Sequence, residues 1–181
     1  MIVHLLRHTV PEIEKGICYG QADVGLATSF AKELAIIQSK VSDLPIDSFF
    51  SSPLQRCAIL AQALCPSGKE VHYDNRLMEL DFGQWELKKW DEISQRNEAK
   101  KWFADYGNES CPGGESYQDL LQRVKEFSAY LKSCTTLKEP LVVTHAGVIR
   151  AFYSIVNKCS LDASFKITIE YGQLLSLKIE S

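Results

Sequence analysis

The sequence lacks the cysteine patterns that mark disulfide frameworks, zinc sites and redox sites. Its six cysteines include no Cys-x-x-Cys pair and no cluster with histidine at the spacing of a zinc site. Several of them occupy apolar positions in helical patterns, where a free thiol behaves as a small hydrophobic group. Because disulfides persist mainly in oxidising compartments, we expect reduced thiols and a cytoplasmic protein.

Long apolar stretches and a strong net charge are also missing. No apolar stretch approaches the ~20 residues that span a bilayer, and residues 1–8 lack the basic and apolar regions of a signal peptide. The formal net charge of −3 gives no general attraction for nucleic acid or a membrane surface. We therefore expect neither partner, while the oligomeric state stays open. Any anion site must depend on a few basic residues placed locally.

Motifs of several phosphate chemistries are absent as well. No cysteine is followed six positions later by arginine, as the loop of a thiol phosphatase requires. The chain has no Gly-x-x-x-x-Gly-Lys-Ser/Thr loop and no Gly-x-Gly-x-x-Gly motif for nucleotides. The zinc pattern His-Glu-x-x-His does not occur either. We expect neither a cofactor nor a metal.

Hydrophobic periodicity predicts strands that alternate with helices over 181 residues, a length that suits one domain. Apolar residues three and four positions apart predict a helix over 28–44 and another from about Ser116. Ser52 and Pro53 are expected to cap a further helix. The alternation predicts an α/β fold, a three-layer sandwich with a mostly parallel central sheet. The predicted strands are 2–6, 46–51, 71–73 and 141–143, and a hairpin is predicted over 165–179.

The segment 82–114 is rich in aromatic and charged residues and ends in the helix breaker Pro112-Gly113-Gly114. We expect it to form a helical excursion over the active site, within a single domain 1–181. Its aromatic side chains either pack the excursion onto the core or stack on a ligand, and the sequence leaves both explanations open. These residues are Trp85, Trp90, Trp102, Phe103 and Tyr106.

Charged residues and histidines follow the carboxyl end of each predicted parallel strand. Arg7 and His8 follow the first strand, and Arg56 follows the second. Glu79 and His145 follow the third and the fourth. Ligands of open α/β sheets bind beyond the carboxyl ends of the strands, so the fold is expected to bring these five side chains to one edge. Considered singly, Arg56 also fits a salt bridge, His145 a core position and Glu79 a surface acid.

Together, these side chains fit phosphoryl transfer through histidine. A neutral imidazole is a competent nucleophile near neutral pH. Two guanidinium groups supply paired donors to the oxygens over which the transition state spreads its charge. His145 and helix-start N–H groups are further candidate donors. Glu79 is the candidate general acid for the leaving oxygen and afterwards the base for water.

Ordered blocks of the sequence resemble the histidine phosphatase superfamily, which also includes the phosphoglycerate mutases. The resemblance implies a phosphoglycerate mutase-like fold, a phosphohistidine intermediate on His8 and a proton donor at Glu79. It assigns the phosphate pocket to Arg7, Arg56 and His145. Gln21, Ser51 and Ala146 are implied as further phosphate-side residues. The blocks are 5–9, 18–23, 51–57, 77–86, 112–116 and 142–150.

Thr9 stands where most members of the superfamily have glycine, and threonine does not readily adopt a positive φ. Arg7-His8-Thr9, with Pro11 and the block 18–23, resembles one subgroup, the alpha-ribazole phosphatases of cobalamin synthesis. The implied substrate is a small phosphorylated metabolite, alpha-ribazole 5′-phosphate. The alternatives are a broad-specificity or sugar-phosphate phosphatase, a mutase, and a catalytically retired module that binds a phospho-ligand.

Overall fold

The chain folds around a five-stranded sheet, and the computed structural model describes residues 1–180. The strands are β1 (Ile2–Arg7), β2 (Phe49–Ser51), β3 (Val71–Tyr73), β4 (Leu141–Thr144) and β5 (Leu174–Lys178). The helices are α1 (Phe30–Val41), α2 (Gln55–Leu64), α3 (Trp90–Ser94), α4 (Asn97–Ala104), α5 (Tyr117–Ser133), α6 (Ala146–Asn157) and α7 (Leu161–Phe165).

The strand order is β3-β2-β4-β1-β5. Strands β1 to β4 run parallel to one another, and β5 pairs antiparallel with β1 at one edge. The predicted α/β fold with a mostly parallel sheet is therefore confirmed. Arg7 at the end of β1 pairs with Thr144 at the end of β4, so these strands finish at the same height.

Alternating strand residues build a core on each face of the sheet. Leu6 and Val143 contribute to the core beneath α1 and α2. Leu5 and Val142 contribute to the opposite core, beneath α5 and α6. Because both faces are covered, strands β1 and β4 are buried along almost their whole length. No helix within residues 1–180 is both long and apolar enough to cross a membrane.

Local chemistry sets where the long helices begin. The Ser116 hydroxyl accepts a hydrogen bond from the Asp119 N–H, and the Asp119 carboxylate accepts one from the Ser116 N–H. This capping box starts α5 close to the predicted position.

The predicted cap of α2 at Ser52 and Pro53 is wrong, since that helix begins at Gln55. Ser52 is still tied to the sheet, because its N–H donates to the carbonyl of Val143 at 3.0 Å.

The hairpin predicted over 165–179 is also wrong. Only β5 is a strand there, and its partner is β1. Residues 161–165 form α7, and residues 166–173 lack strand structure. The N–H of Gly172, whose φ is +64°, donates to the carbonyls of Arg7 and His8. The polar and apolar alternation was real, but it did not show which strand would be the partner.

The segment 82–114 holds a 3-10 turn at Gly83–Trp85 and the short helices α3 and α4. Its two ends meet where the Gln84 N–H donates to the carbonyl of Pro112 at 2.8 Å. Gly83 has a φ of +54°, and a Cβ there would lie 2.4 Å from that same carbonyl oxygen. Only glycine fits this close approach, which folds the segment back beside the carboxyl edge of the sheet.

Candidate active site

A cavity of about 190 Å³ opens at the carboxyl edge of the parallel strands. The five side chains expected at that edge all line it: Arg7, His8, Arg56, Glu79 and His145. Their meeting depends on strand order, since they come from four separate segments of the chain. The rest of the lining is Tyr19, Leu80, Phe82, Trp102, Tyr117, Gly147, Arg150 and Phe165.

The His8 ring is held by the backbone on both sides of it. The backbone N–H of His8 donates to the carbonyl of Thr144 at 3.0 Å, which fixes the His8 Cα at the end of the sheet. Its Nδ1 lies 2.7 Å from the carbonyl oxygen of Thr9. A carbonyl oxygen only accepts hydrogen bonds, so Nδ1 holds the proton and Nε2 keeps its lone pair in the neutral ring. Nε2 is thereby the nucleophilic atom.

The surroundings also keep the His8 ring neutral. The side chain is only 2% exposed, and burial disfavours the charged form of imidazole. Burial first, and then the positive charges of Arg56 and Arg7, lower the pKa of His8 well below its usual value. The hydrogen bond to Thr9 acts in the opposite direction without reversing this result. At neutral pH the imidazole therefore has a free lone pair.

Threonine fits at position 9 without strain. The non-glycine residues of positive φ within residues 1–180 are Leu87 and Lys158, so Thr9 has an ordinary negative φ. Its carbonyl is the acceptor that fixes the His8 ring, a role that needs no glycine. Nothing in the structure accounts for the Thr9 hydroxyl, which is buried without a partner among the described residues.

Two arginine side chains lie next to His8 with part of their donor capacity unused. Arg7 donates through Nη1 to the carbonyl of Ile169 at 2.6 Å. Arg56, fully buried, donates to the carbonyls of Ala22 and Gly20 at 2.9 and 2.5 Å. The Nε atoms of both arginines are buried and have no partner within residues 1–180. Buried donors are nearly always paired, so two unpaired cationic donors beside one cavity indicate an anion site.

His145 is the second imidazole of the cavity. Its ring centre lies 5.1 Å from that of His8, and its Nε2 is 2.9 Å from the Ser52 hydroxyl. That hydroxyl already accepts a hydrogen bond from the Leu54 N–H, so its own proton is available to Nε2. Burial, followed by the charge of Arg56, lowers the pKa of His145 well below its usual value. The ring is therefore neutral beside the nucleophile.

The Glu79 carboxylate is oriented by two backbone donors. Oε1 accepts from the N–H of Leu80 at 3.0 Å, and Oε2 accepts from the N–H of Gly147 at 3.1 Å. Gly147 lies in the first turn of α6, two residues after His145. The start of that helix thus places the candidate acid and the second histidine at the same cavity.

Arg123 and Glu115 hold the Glu79 segment from outside the cavity. Arg123 pairs with both carboxylate oxygens of Glu115, at 2.8 and 2.9 Å. It also donates to the carbonyls of Arg76, Met78 and Glu79. Arg123 was missed in the sequence, because a charged residue in an amphipathic helix gives no sign that it caps the carbonyls of a distant turn.

The three accessory residues implied by the resemblance do not line the cavity. Gln21 donates through Nε2 to the carbonyl of Glu79 at 3.1 Å, so it contacts the backbone of a cavity residue and not the cavity itself. The Ser51 hydroxyl is buried and donates to the carbonyl of Ser52 at 2.8 Å. Ala146 is buried in the first position of α6. Ser52, the neighbour of Ser51, is the serine that contacts a cavity residue.

The loop of residues 20–22, beside Arg56, is held by the carboxylate of Glu86. Glu86 accepts hydrogen bonds from the N–H groups of Gly20, Gln21 and Ala22, at 2.8 to 3.0 Å. It also accepts one from the N–H of Phe82 at 3.0 Å. The carbonyls of this same loop hold the Arg56 guanidinium. Glu86 therefore fixes the loop that orients one of the two arginines.

The aromatic residues of the excursion divide between packing and an open cavity. Trp85 is buried and belongs to the core. A second cavity of about 540 Å³ is lined mainly by aromatic side chains and shares Phe82, Trp102 and Phe165 with the first. Its other lining residues are Trp90, Asp91, Ser94, Phe103 and Tyr106. Trp90, Trp102 and Tyr106 are partly buried and also pack against that core, so packing is confirmed for these residues, while stacking on a ligand stays a prediction.

Comparisons with known proteins agree with this geometry. A profile of the histidine phosphatase superfamily (branch 1) matches residues 3–181. "Probable phosphoglycerate mutase GpmB" of Salmonella choleraesuis is 30% identical over 85% of this chain and 74% of its own length. "Phosphoserine phosphatase 1" of Hydrogenobacter thermophilus is 26% identical over 82% of this chain and 72% of its own length. The crystal structure of the alpha-ribazole phosphatase from Shigella flexneri has the same fold, with a TM-score of 0.92 and 22% identity. The match covers 99% of this chain and 91% of the Shigella chain.

Proposed function

Because the chain belongs to the histidine phosphatase superfamily, we propose that it hydrolyses phosphate monoesters through a phosphohistidine formed on His8. One observation carries this proposal. The unprotonated Nε2 of His8 lies in a cavity beside two buried arginines whose Nε donors have no partner within residues 1–180. A phosphoryl group in the cavity would lie against these two guanidinium groups and present its phosphorus to the imidazole.

The reaction has two steps with the same overall geometry. His8 Nε2 forms a bond to phosphorus while the bond from phosphorus to the leaving oxygen breaks, and Glu79 gives that oxygen a proton. Water then attacks phosphorus while the bond from phosphorus to Nε2 breaks, and the Glu79 carboxylate takes a proton from that water, which releases orthophosphate and restores both side chains. The backbone bonds from Leu80 and Gly147 keep the Glu79 carboxyl group at the cavity in both steps.

The remaining polar groups stabilise charge on the transferred phosphoryl group. Arg7 and Arg56 supply the principal cationic donors. His145 supplies a neutral N–H from Nδ1 when the Ser52 hydroxyl donates to its Nε2. Because both histidines are neutral at rest, the positive charge in the cavity comes from the arginines.

For the substrate we propose alpha-ribazole 5′-phosphate, an intermediate of cobalamin synthesis in the cytoplasm. The resemblance of the Arg7-His8-Thr9 block supports this choice. So does the aromatic-lined cavity that adjoins the catalytic one, because it is suited to stacking against a benzimidazole ring. We propose that the segment 82–114 forms this wall within a single domain.

Arg150 favours a second class of substrate. Its guanidinium lines the catalytic cavity above the Phe165 ring, with Cζ 5.3 Å from the ring centre. Its Nε is buried without a partner within residues 1–180. A carboxylate on the leaving group would pair with this guanidinium in the cavity. The second candidate is therefore a phosphorylated small hydroxy acid, and phosphoserine phosphatase 1 of Hydrogenobacter thermophilus bears a name of that class.

A substrate panel tests the proposed function. It compares kcat/KM for alpha-ribazole 5′-phosphate, phosphoserine, 3-phosphoglycerate, a sugar phosphate and p-nitrophenyl phosphate, since discrimination is expressed in that ratio. The leading proposal expects alpha-ribazole 5′-phosphate to exceed the generic esters by at least tenfold. Equal values across the panel would refute that substrate, and no turnover of any ester would favour a retired binding module. Exchange of phosphate between the hydroxyls of a glycerate without release would indicate a mutase.

A variant in the second cavity links the substrate to the structure. Phe103 is 51% exposed and lines only that cavity, so Phe103→Ala removes an aromatic wall without touching the phosphate pocket. Loss of one aromatic contact of about 1 kcal/mol predicts a roughly fivefold lower kcat/KM for alpha-ribazole 5′-phosphate. The loss for p-nitrophenyl phosphate should be smaller. Tyr130→Ala, an exposed aromatic residue on α5 outside both cavities, is the matched control.

A further inference from the structure

Two tyrosine rings connect the arginines of the catalytic cavity. Cζ of Arg7 lies 3.8 Å from the centre of the Tyr171 ring, well within the range of a cation–π interaction. The hydroxyls of Tyr171 and Tyr19 are 2.5 Å apart, so one donates a hydrogen bond to the other. The Tyr19 ring centre in turn lies 5.4 Å from Cζ of Arg56. A continuous series of contacts thus runs from one arginine to the other.

The backbone places Tyr171 at this position. The N–H of Gly172 donates to the carbonyls of Arg7 and His8 at 3.2 and 3.1 Å. The N–H of Arg7 donates to the carbonyl of Gln173 at 3.0 Å. The turn that holds the ring is therefore bound to the same end of β1 that holds the nucleophile and its arginine. The Tyr171 and His8 ring centres are 5.5 Å apart.

The Arg7 guanidinium has few other constraints. Its side chain makes one hydrogen bond within residues 1–180, from Nη1 to the carbonyl of Ile169. A guanidinium that binds phosphate needs its planar group of donors held in a fixed orientation. The Tyr171 ring supplies a second contact that restricts rotation of that plane. Burial and the hydrogen bond to Tyr171 raise the pKa of Tyr19, so Tyr19 brings no negative charge toward an incoming phosphate.

We propose that Tyr171 and Tyr19 form a positioning pair that holds Arg7 in its phosphate-binding orientation. Tyr171 does not line the catalytic cavity, so it acts through Arg7 and is not a catalytic residue. The hydroxyl of Tyr19 steadies the Tyr171 ring from the side of Arg56. This inference rests on the proposed function, because it takes Arg7 to bind the phosphoryl group.

The test measures the inhibition constant of orthophosphate together with kcat and KM for p-nitrophenyl phosphate. Tyr171→Leu removes the aromatic face and should raise the inhibition constant about three- to thirtyfold, the range of a partly desolvated cation–π contact. Tyr171→Phe keeps the ring and loses only the hydrogen bond to Tyr19, so it should recover part of the loss and leave the constant about two- to tenfold above wild type. Tyr73→Leu removes a half-exposed tyrosine from edge strand β3, away from the cavity, and should leave the constant unchanged.

A double-mutant cycle separates positioning from a general structural effect. When Arg7→Ala is already present, Tyr171→Leu should cause no further loss of orthophosphate binding. An equal loss with and without Arg7, or a loss in Tyr171→Phe as large as in Tyr171→Leu, would overturn the inference. If Tyr171→Leu does not fold, Tyr19→Phe serves instead. Loss of one hydrogen bond predicts an inhibition constant about two- to tenfold higher, and an unchanged constant would overturn the inference.

The outcomes also separate this inference from the proposed function. A wild-type protein that hydrolyses no phosphomonoester and binds no orthophosphate would overturn both. An active wild-type protein whose Tyr171→Leu variant matches it in every constant would overturn the positioning role alone.

Discussion

His8 illustrates how a single backbone contact sets the chemistry of a side chain. The carbonyl of Thr9 accepts a hydrogen bond from Nδ1–H, which leaves Nε2 as the nitrogen with the free lone pair. Burial and two arginines keep the ring unprotonated. The same cations then attract the phosphate that the nucleophile attacks. One cluster of residues therefore provides both the reactive form of the histidine and the binding site of its target.

NMR titration of the imidazoles tests this picture. Because the pKa values of His8 and His145 are lowered well below the usual value, both rings should stay neutral as the pH falls through the usual value of ~6.5. A short unstructured peptide that contains histidine titrates at pH ~6.5 in the same buffer and serves as the reference. The experiment follows the ring carbon shifts, with His8→Asn and His145→Asn used for assignment. A His8 signal that titrates near pH 6.5 would refute the neutral nucleophile.

The sequence was informative about residues whose position follows from a strand end. The five residues all line the cavity, as expected from their places after the carboxyl ends of the predicted strands: Arg7, His8, Arg56, Glu79 and His145. Residues that act through backbone groups far away in sequence gave no such signal. Arg123, Ser52 and Tyr171 contact the site from a helix, a strand end and a turn, and only the tertiary structure brings them there.

The start of α6 combines two functions in one turn of helix. His145 occupies its N-cap position and points at the nucleophile's cavity, while the Gly147 N–H binds Glu79. The Glu79 carboxylate lies so close that a Cβ on Gly147 would be 2.1 Å from Oε1. Glycine is required here because a side chain would collide with Glu79. Its backbone conformation does not require glycine, since its φ is not positive.

Gly147→Ala should therefore impair the acid without removing the phosphate pocket. The added methyl group displaces Glu79, and the loss of general acid catalysis predicts a kcat about a hundredfold lower on alkyl phosphates. The loss should be much smaller on p-nitrophenyl phosphate, whose leaving group needs little protonation. Gly107→Ala, where the nearest atom would be 3.6 Å away, is the control. Equal losses on both substrates would argue against the acid role of Glu79.

Helices and strands were predictable where their signals are local. The capping residues of α5 and the apolar runs of β1 and β4 identified those elements. The predicted hairpin failed because β5 pairs with β1, about 170 residues away in sequence. The start of α2 was misplaced because Ser52 bonds to the sheet and to His145 instead of capping a helix.

At the level of the whole molecule, two buried neutral histidines link stability to pH. Their folded-state pKa values lie below the unfolded value of ~6.5, so the unfolded chain binds more protons between those limits. Stability is therefore complete above pH ~6.5 and falls as the pH drops toward the folded-state values. Asp74 and Asp119 also have lowered pKa values, and their contribution is lost only below the usual range of aspartate.

Urea denaturation in phosphate-free buffer between pH 6.5 and 5 should show this dependence. Each histidine that stays neutral in the folded state contributes a slope of up to about 1.4 kcal/mol per pH unit in the free energy of unfolding. The variant with both His8→Asn and His145→Asn should lose most of the slope. A double variant as pH-sensitive as the wild type would contradict the buried neutral state of these rings.

The most direct test of the account is to trap the phosphorylated enzyme during turnover. Rapid quenching of the wild-type protein with a radiolabelled phosphate monoester should yield acid-labile, base-stable phosphate on His8, mapped by mass spectrometry. His8→Ala should form none and lose turnover. Phosphate found on His145, or full turnover by His8→Ala, would contradict the central claim that the unprotonated Nε2 of His8 attacks phosphorus.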